Sequence, residues 1–446
     1  MKSQLIKGLL FVLLVSVISR AAWSDRVYSI VPLLNVREKP STNSKIIEFL
    51  RHGRWVDVIS KGDEWLKIKM PNGKNGYVFT KLVTDFRVKV LKDERRLLLM
   101  KGNKVQQQYP AALGFNPRDD KIKQGDGCTP EGRFYICQII EKPKTAATYG
   151  PVSLRISYPN IEDARRGLKD KLITETQYLA IVKAIHHGRM PPQNTPLGSS
   201  IKIHGGDPGV SHDWTLGCVA MKNPDIKQLF SRIPKKLVMV DIYRSRQQEQ
   251  KYNGNGYVNR RTLEESQKLI KQGCSYTRKA TAIIPISYPL GDFDKSIGVC
   301  TDVAIRALRG LGIDLQALLY EDIILHPRRY PNISKPNPNI DHRRTRNLKR
   351  FFDYHAEILT IEPPAKKPNE WLPGDIVIMD TGIPNGTIYD HIGIVSSRKT
   401  REGIPLVVNL WTIGCQLNEM ELLNGDYPKI VGHYRLLHPF FYDALK

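Results

Sequence analysis

The chain has 446 residues, enough for two to four domains, each with its own core. Its 68 lysines and arginines outweigh 44 aspartates and glutamates, for a formal net charge of +24. That excludes an acidic surface and leaves a nucleic-acid binder or an exported protein working against an anionic envelope. Six cysteines, scattered from Cys128 to Cys415, exclude the dense disulfide framework of a small secreted scaffold.

The first residues favour export. Lys2 and Lys7 precede an apolar run from Leu9 to Ile18, and the small residues Ser19, Ala21, Ala22 and Ser24 follow before Asp25. This is the three-part plan of a secretory signal peptide over 1–24, its apolar run too short to span a bilayer comfortably. No later segment approaches about eighteen apolar residues. The expectation is a mature chain with no stable membrane span, in the periplasm or cell envelope, with no nucleic-acid partner.

Residues 26–85 read as four or five short strands separated by turns: L-N-V-R-E-K-P-S-T-N-S-K-I-I, then apolar alternation at Val56, Val58, Trp65 and Ile68, then N-G-K-N-G-Y-V. Such a density of strands predicts a small all-β barrel. The pattern resembles bacterial SH3-like domains, which implies binding to cell-wall material; a stabilising appendage with no ligand is the alternative.

Residues 86–244 are β-rich with a helical interruption. The helical stretch from Asn160 to His187 stops at Gly188, and an insert of this kind is expected to form a lid or substrate wall. His186 and His187 fall at its end, where a cation is favoured. Cys128 and Cys137 flank a turn, where a bridge is open. The centre of the segment is Ile201 to Met221, I-K-I-H-G-G-D-P-G-V-S-H-D-W-T-L-G-C-V-A-M. Alternation delivers His204 at a strand end, glycines follow, and Gly217-Cys218 enters a second strand. A thiol, an imidazole to take its proton, and a glycine beside the thiol are what thioester chemistry needs. His204, His212, Asp213 and Cys218 are also potential zinc ligands, but their spacing lacks the tight pairs of structural zinc sites.

I-H-G-G with T-L-G-C-V-A-M, and upstream D-G-C-T-P-E-G-R-F-Y-I, resemble the YkuD-type L,D-transpeptidases. The resemblance implies a mostly β catalytic domain in which Cys218 attacks a peptidoglycan stem tetrapeptide, with His204 as proton acceptor and donor and the Gly217 and Cys218 amides as oxyanion donors. An amine then resolves the thioester, from a second stem peptide or a lipoprotein; L,D-carboxypeptidase or endopeptidase hydrolysis is the alternative, and a non-catalytic cell-wall-binding protein a further one. Residues differing from many members are Leu216 and Ala220.

Residues 245–258 are polar and read as a linker, with a helix capped near Thr262. In 259–446, the apolar spacing after Val299 sets Cys300 at a helix N-terminus, where dipole and free amides favour a thiolate. His391 heads a later strand and Asn409 lies on the next, with His433 a second candidate for the orienting residue. Asp341 to Arg344 reads as a structural polar cluster. The region resembles the NlpC-type cysteine peptidases and, more closely, an uncharacterised bacterial family sharing G-V-C-T-D-V-x-I-R-A, I-D-H-R-R-T-x-N-L, G-D-I-V…H-I-G-I-V and G-H-Y-R. That implies an α+β papain-like domain with Cys300, His391 and Asn409 as a second site for stem-peptide cleavage. Both sites pair a thiol with an imidazole, so no metal and no cofactor is implied.

Overall fold

The computed structural model describes residues 26–53, 55–70, 74–141, 146–235, 237–253, 258–271, 286–289, 291–292, 298–311, 313–411 and 417–436. The expected signal peptide, Cys274 and Cys415 lie outside them. The molecule is multidomain and mostly β, with three sheets among the described residues.

The first sheet contains β1 (Arg26–Ser29), β2 (Leu33–Arg37), β3 (Ile46–Arg51), β4 (Trp55–Lys61), β5 (Trp65–Lys69), β6 (Asn75–Phe79) and β7 (Val83–Thr84), in the order β3-β2-β6-β5-β4-β1-β7. Leu34 and Val36, Val56 and Val58, and Leu66 and Ile68 alternate inward from their strands and share one core. This is the SH3-like unit. His52, in the turn after β3, ties it to the second domain: its Nε2–H donates to Leu237 O at 2.8 Å, and its ring stands edge-on to Tyr135.

The second domain is built on β8 (Phe86–Leu91), β9 (Arg96–Lys101), β10 (Lys104–Pro110), β11 (Gly132–Glu141), α1 (Ala146–Tyr149), β12 (Val152–Ile156), α2 (Ile161–Lys169), α3 (Glu175–His186), β13 (Lys202–His204), β14 (Val219–Ala220), α4 (Asn223–Arg232) and β15 (Met239–Tyr243). Its sheet runs β10-β9-β8-β15-β11-β12-β13-β14, with β8–β15 and β13–β14 parallel. The continuous apolar run of β9 is explained by burial on both faces. Leu97 and Leu99 join the main core, while Leu98 and Met100 meet Leu91 and Tyr243 behind it.

The stretch read as a linker contains a helix, α5 (Arg246–Asn253), held to the back of this sheet by ion pairs. Glu249 pairs with Lys89, and Arg246 with Glu94 at 2.6 Å. Cys128 and Cys137 are both free thiols. Cys128 sits in a turn fastened by Asp126, whereas Cys137 lies well along the extended β11, about 3.3 Å further away with each residue.

The third domain comprises α6 (Val258–Lys271), α7 (Cys300–Arg309), α8 (Leu315–Leu325), α9 (Thr345–His355), β16 (Glu357–Ile358), β17 (Ile376–Asp380), β18 (His391–Lys399), β19 (Pro405–Leu410), β20 (Leu417–Met420) and β21 (Lys429–Arg435). Helix α6 begins before Thr262, one turn earlier than the sequence suggested. The antiparallel sheet, β16-β21-β17-β18-β19-β20, packs against the helices through Ile305, Leu308, Phe352, Ile376 and Ile392.

The helical insert docks on this third domain. Capping boxes at Asn160/Asp163 and Thr174/Gln177 start its two helices. Arg165 of α2 donates to both carboxylate oxygens of Glu321 on α8, at 2.7 Å each, and the Tyr178 hydroxyl donates to the same carboxylate. Tyr320 OH donates to Glu175 at 3.1 Å.

Candidate active site

Strands β13 and β14 lie side by side with His204 opposite Ala220. Cys218 is two residues before Ala220, a spacing that strand alternation puts on the His204 side of the sheet. Tyr149 stands edge-on to His204, with ring centroids 5.0 Å apart, and burial, with the charge of a Cys218 thiolate as a lesser cause, raises its hydroxyl pKa.

The glycines after His204 have a packing reason. A Cβ on Gly205 would lie 2.2 Å from Asn223 Oδ1, the atom that accepts the Gly206 N–H at 2.8 Å. The upstream D-G-C-T-P-E-G stretch is the floor beneath the thiol. The buried Lys92 ammonium donates to Asp119 O, Thr129 O and Glu131 and so fixes this loop. Gly217, at φ +121°, rests so close to it that a Cβ would be 2.5 Å from Cys128 O.

His204 is 1% exposed. Its Nδ1 lies 2.5 Å from Gly205 O, an oxygen that can only accept, so Nδ1 carries the proton and Nε2 is left basic. Burial pushes its pKa down to about 4, against the pull of that carbonyl. Burial also pushes the Cys218 thiol up, opposed by the Lys202 backbone N–H and by the charges of Lys202, Lys121 and Arg155. The resting pair is therefore neutral thiol and neutral imidazole, and the proton moves only as the sulfur attacks. Cys218 Sγ points to Ser200 O at 3.7 Å; Ser200 is held at φ +59° while its N–H donates to Gln193. A cavity of about 610 Å³ opens beside Gln193 and Ser199, with Leu172 of the helical insert in its wall.

The expected oxyanion donors differ in availability. The Gly217 N–H is bonded to Thr215 Oγ1 at 3.1 Å, and that hydroxyl donates to Cys218 O at 2.7 Å. Of the other residues weighed as metal ligands, Asp213 is committed to Arg95 and to the Leu113 N–H, and His212 to Ser211.

The second constellation also assembles. Cys300 is the first residue of α7, His391 the first of β18, and Asn409 lies on β19. Asn409 Nδ2 donates to Val407 O at 3.0 Å, which turns its Oδ1 toward His391 Nε2 at 3.1 Å. Nε2 thus carries the proton, leaving Nδ1 basic. Cys300 Sγ lies 3.9 Å from Asp390 O, the carbonyl preceding His391. Burial lifts this thiol to about 11 and lowers His391 to about 4. His433 is elsewhere: it bonds Asp375 at 3.0 Å, also held by Arg435, and stacks on Trp371 at 3.7 Å. Asp341 to Arg344 is structural, with Arg343 buried in a two-pronged pair with Asp302.

Sequence reasoning missed Tyr149, Thr215 and Asn223 at the first site and Trp411, edge-on to His391 at 4.6 Å, at the second. Tyr149, Asn223 and Trp411 have no pattern of their own, while Thr215 stands at the head of T-L-G-C with its bond to the Gly217 N–H unread; the polar Lys202 in I-K-I-H was a visible hint of the charge around Cys218.

Three family models match successive parts of the chain: a bacterial SH3 domain over 32–84, the L,D-transpeptidase catalytic domain over 85–242, and a domain of unknown function, DUF1287, over 263–436. Residues 85–242 are thus similar to L,D-transpeptidase catalytic domains. It also belongs to one family with the uncharacterized protein YijF of Escherichia coli (strain K12), to which it is 39% identical over 159 residues, 34% of this chain and 71% of that one. Among solved structures it is similar to Bd1075 of Bdellovibrio bacteriovorus, at 22% identity and a TM-score of 0.26, covering 45% of this chain and 65% of the other. It is also similar to the K307A mutant of the helical cell shape determining protein Pgp2 of Campylobacter jejuni, at 21% identity and 0.26, covering 36% and 48%. The chain thus spans less than two thirds of the length of either solved structure.

Proposed function

We propose that the chain is an exported L,D-transpeptidase of peptidoglycan that works through a Cys218 thioester, with its leader at 1–24 removed. The observation that carries this reading is the adjacency of β13 and β14, with the His204 tautomer fixed by Gly205 so that Nε2 is the base. Cys218 Sγ adds to the carbonyl of the third stem residue while its proton passes to His204 Nε2. The Cys218 amide receives the oxyanion; the Gly217 amide joins it once Thr215 releases it. His204 gives the proton to the departing D-alanine amine, leaving a thioester. An incoming amine then attacks, loses its proton to His204, and the thiol is restored. The incoming amine belongs to a second stem peptide or a lipoprotein lysine.

Intact mass after exposure to a carbapenem tests the nucleophile: one adduct that disappears in Cys218→Ala is expected, and an adduct retained by that variant would sink the assignment. Incubation with tetrapeptide muropeptides separates transfer, seen as cross-linked dimers, from hydrolysis, seen as free acids.

The His391–Asn409 bond favours a second activity. In this reading Cys300 adds to a peptide amide, His391 carries its proton to the leaving amine, and water hydrolyses the thioester. Stem-peptide cleavage that survives Cys218→Ala and vanishes in Cys300→Ala is the expected result.

A further inference from the structure

A cavity of about 640 Å³ in the third domain lies between the start of α9, the segment at Tyr330, and the loop from Asp380 to Tyr389. Cys300 is not in its lining, but at two points the lining comes within one residue of the groups beside that thiol. Thr345, whose side chain works against burial to lower the Cys300 pKa, precedes the cavity-lining Arg346, and Tyr389 lines the cavity just before Asp390, whose carbonyl lies 3.9 Å from that sulfur.

The lining is cationic. Arg346 and Arg350 are one helical turn apart and project from the same face of α9. The Arg346 Nε is buried with no hydrogen-bond partner. Asp380 is the acidic residue in the lining, and its carboxylate already accepts the Gly382 N–H at 2.8 Å. Ile383 and Ile388 add half-exposed aliphatic surface, 47% and 52% exposed. The loop that carries them is pinned at its far end, where Asp390 accepts the Thr381 N–H at 2.9 Å and Asn385 Nδ2 at 3.0 Å. The volume suits a short peptide rather than a nucleic acid or a lipid face.

We infer that this cavity is the substrate seat of the Cys300 site, and that Arg346 and Arg350 grip a carboxylate borne on an aliphatic part of the peptide whose amide Cys300 attacks. The unused Nε–H of Arg346 matches a carboxylate fork, and a second guanidinium one turn away favours an acidic peptide over a neutral one. A peptidoglycan stem has that composition. The inference rests on the proposed reading of Cys300 as a nucleophile.

Binding is tested in the mature full-length chain carrying Cys218→Ala and Cys300→Ala, which cannot turn substrate over. Calorimetry with a stem tetrapeptide should show a site weakened about tenfold when the peptide carboxylates are amidated, and about tenfold by Arg346→Gln or Arg350→Gln. Arg350 is exposed, so its variant keeps the fold even should Arg346→Gln lose it. Affinity indifferent to amidation or to Arg350→Gln overturns the inference. Equal affinity for an acidic peptide of L-residues overturns the stem-peptide assignment. Kinetics separate the two layers. Cleavage that needs Cys300 but shows an unchanged KM in Arg350→Gln removes the cavity and spares the nucleophile. Arginine-dependent binding without any Cys300-dependent cleavage removes the nucleophile and spares the cavity. The expected result is a raised KM with unchanged kcat.

Discussion

The two thiol sites put the same pair of groups in the same electrostatic state on different scaffolds. In each, burial raises the thiol and lowers the imidazole to about 4. They differ in how the imidazole is set. His204 is oriented by the carbonyl of its own neighbour, which accepts from Nδ1–H and so keeps the proton on that nitrogen. His391 is oriented by Asn409 on the neighbouring strand, itself turned by Val407 O, so that Asn409 Oδ1 accepts from Nε2–H and keeps the proton there. The reactive nitrogens are therefore opposite. One site depends on a local turn and the other on a side-chain relay, so they should fail under different substitutions.

The largest expected difference is in the nucleophiles. Cys218→Ala should cut carbapenem acylation by about 10⁴-fold or more while Cys300→Ala leaves it within about twofold, read by intact mass against time. The reverse pattern would exchange the roles of the sites. Next come the bases and their orienters. His204→Ala should slow acylation by about 10²–10⁴-fold, and Asn409→Ala should reduce Cys300-dependent cleavage by about 10²-fold without touching acylation. Loss of both activities in Asn409→Ala would mean the sites are not independent.

Stability gives a smaller contrast. Gly205→Ala drives a Cβ against Asn223 and Ile226 and should cost up to about 3 kcal/mol in urea unfolding. Gly382→Ala, at φ +66° with open space around it, should cost about 1 kcal/mol. Equal costs would show that the His204 turn is less tightly packed than its geometry indicates.

A third contrast is in pH. His52, His204 and His391 each titrate near 4 in the fold, below the 6.5 of an unfolded imidazole. The unfolded chain takes up protons first as pH falls. The stability due to the neutral, buried rings is thus complete above about 6.5 and is lost as pH drops toward 4, by up to about 1.4 kcal/mol per pH unit for each ring. Melting temperature at pH 5 should lie below that at pH 7, and His52→Gln should shrink the gap without changing acylation at pH 7. An unchanged gap would remove His52 from the account.

The SH3-like strands and the first site were legible because their signals are local: period-two alternation, and His204 and Gly217-Cys218 at turns. The helical insert was legible as a stretch from Asn160 to His187 with Gly188 as its stop, but the caps Asn160 and Thr174 that divide it into two helices were not read. Their docking was not legible, since it is decided by Glu321, far along the chain. Helix α5 was missed because R-Q-Q-E-Q-K-Y-N lacks an apolar stripe and is held by charges on Lys89 and Glu94. Asn409 and His433 both read as strand residues able to orient His391, until the sheet order put Asn409 beside His391 and left His433 two strands away, on Asp375.

The grip of Arg165 and Tyr178 on Glu321 has a practical corollary for dissecting the chain. Halves expressed separately would each surrender part of one charge cluster to water. The apolar seam joining Leu179 and Ile185 to Tyr288 and Leu325 would be bared as well. Such fragments should be sticky, and an inert fragment would say little about the activity of the whole.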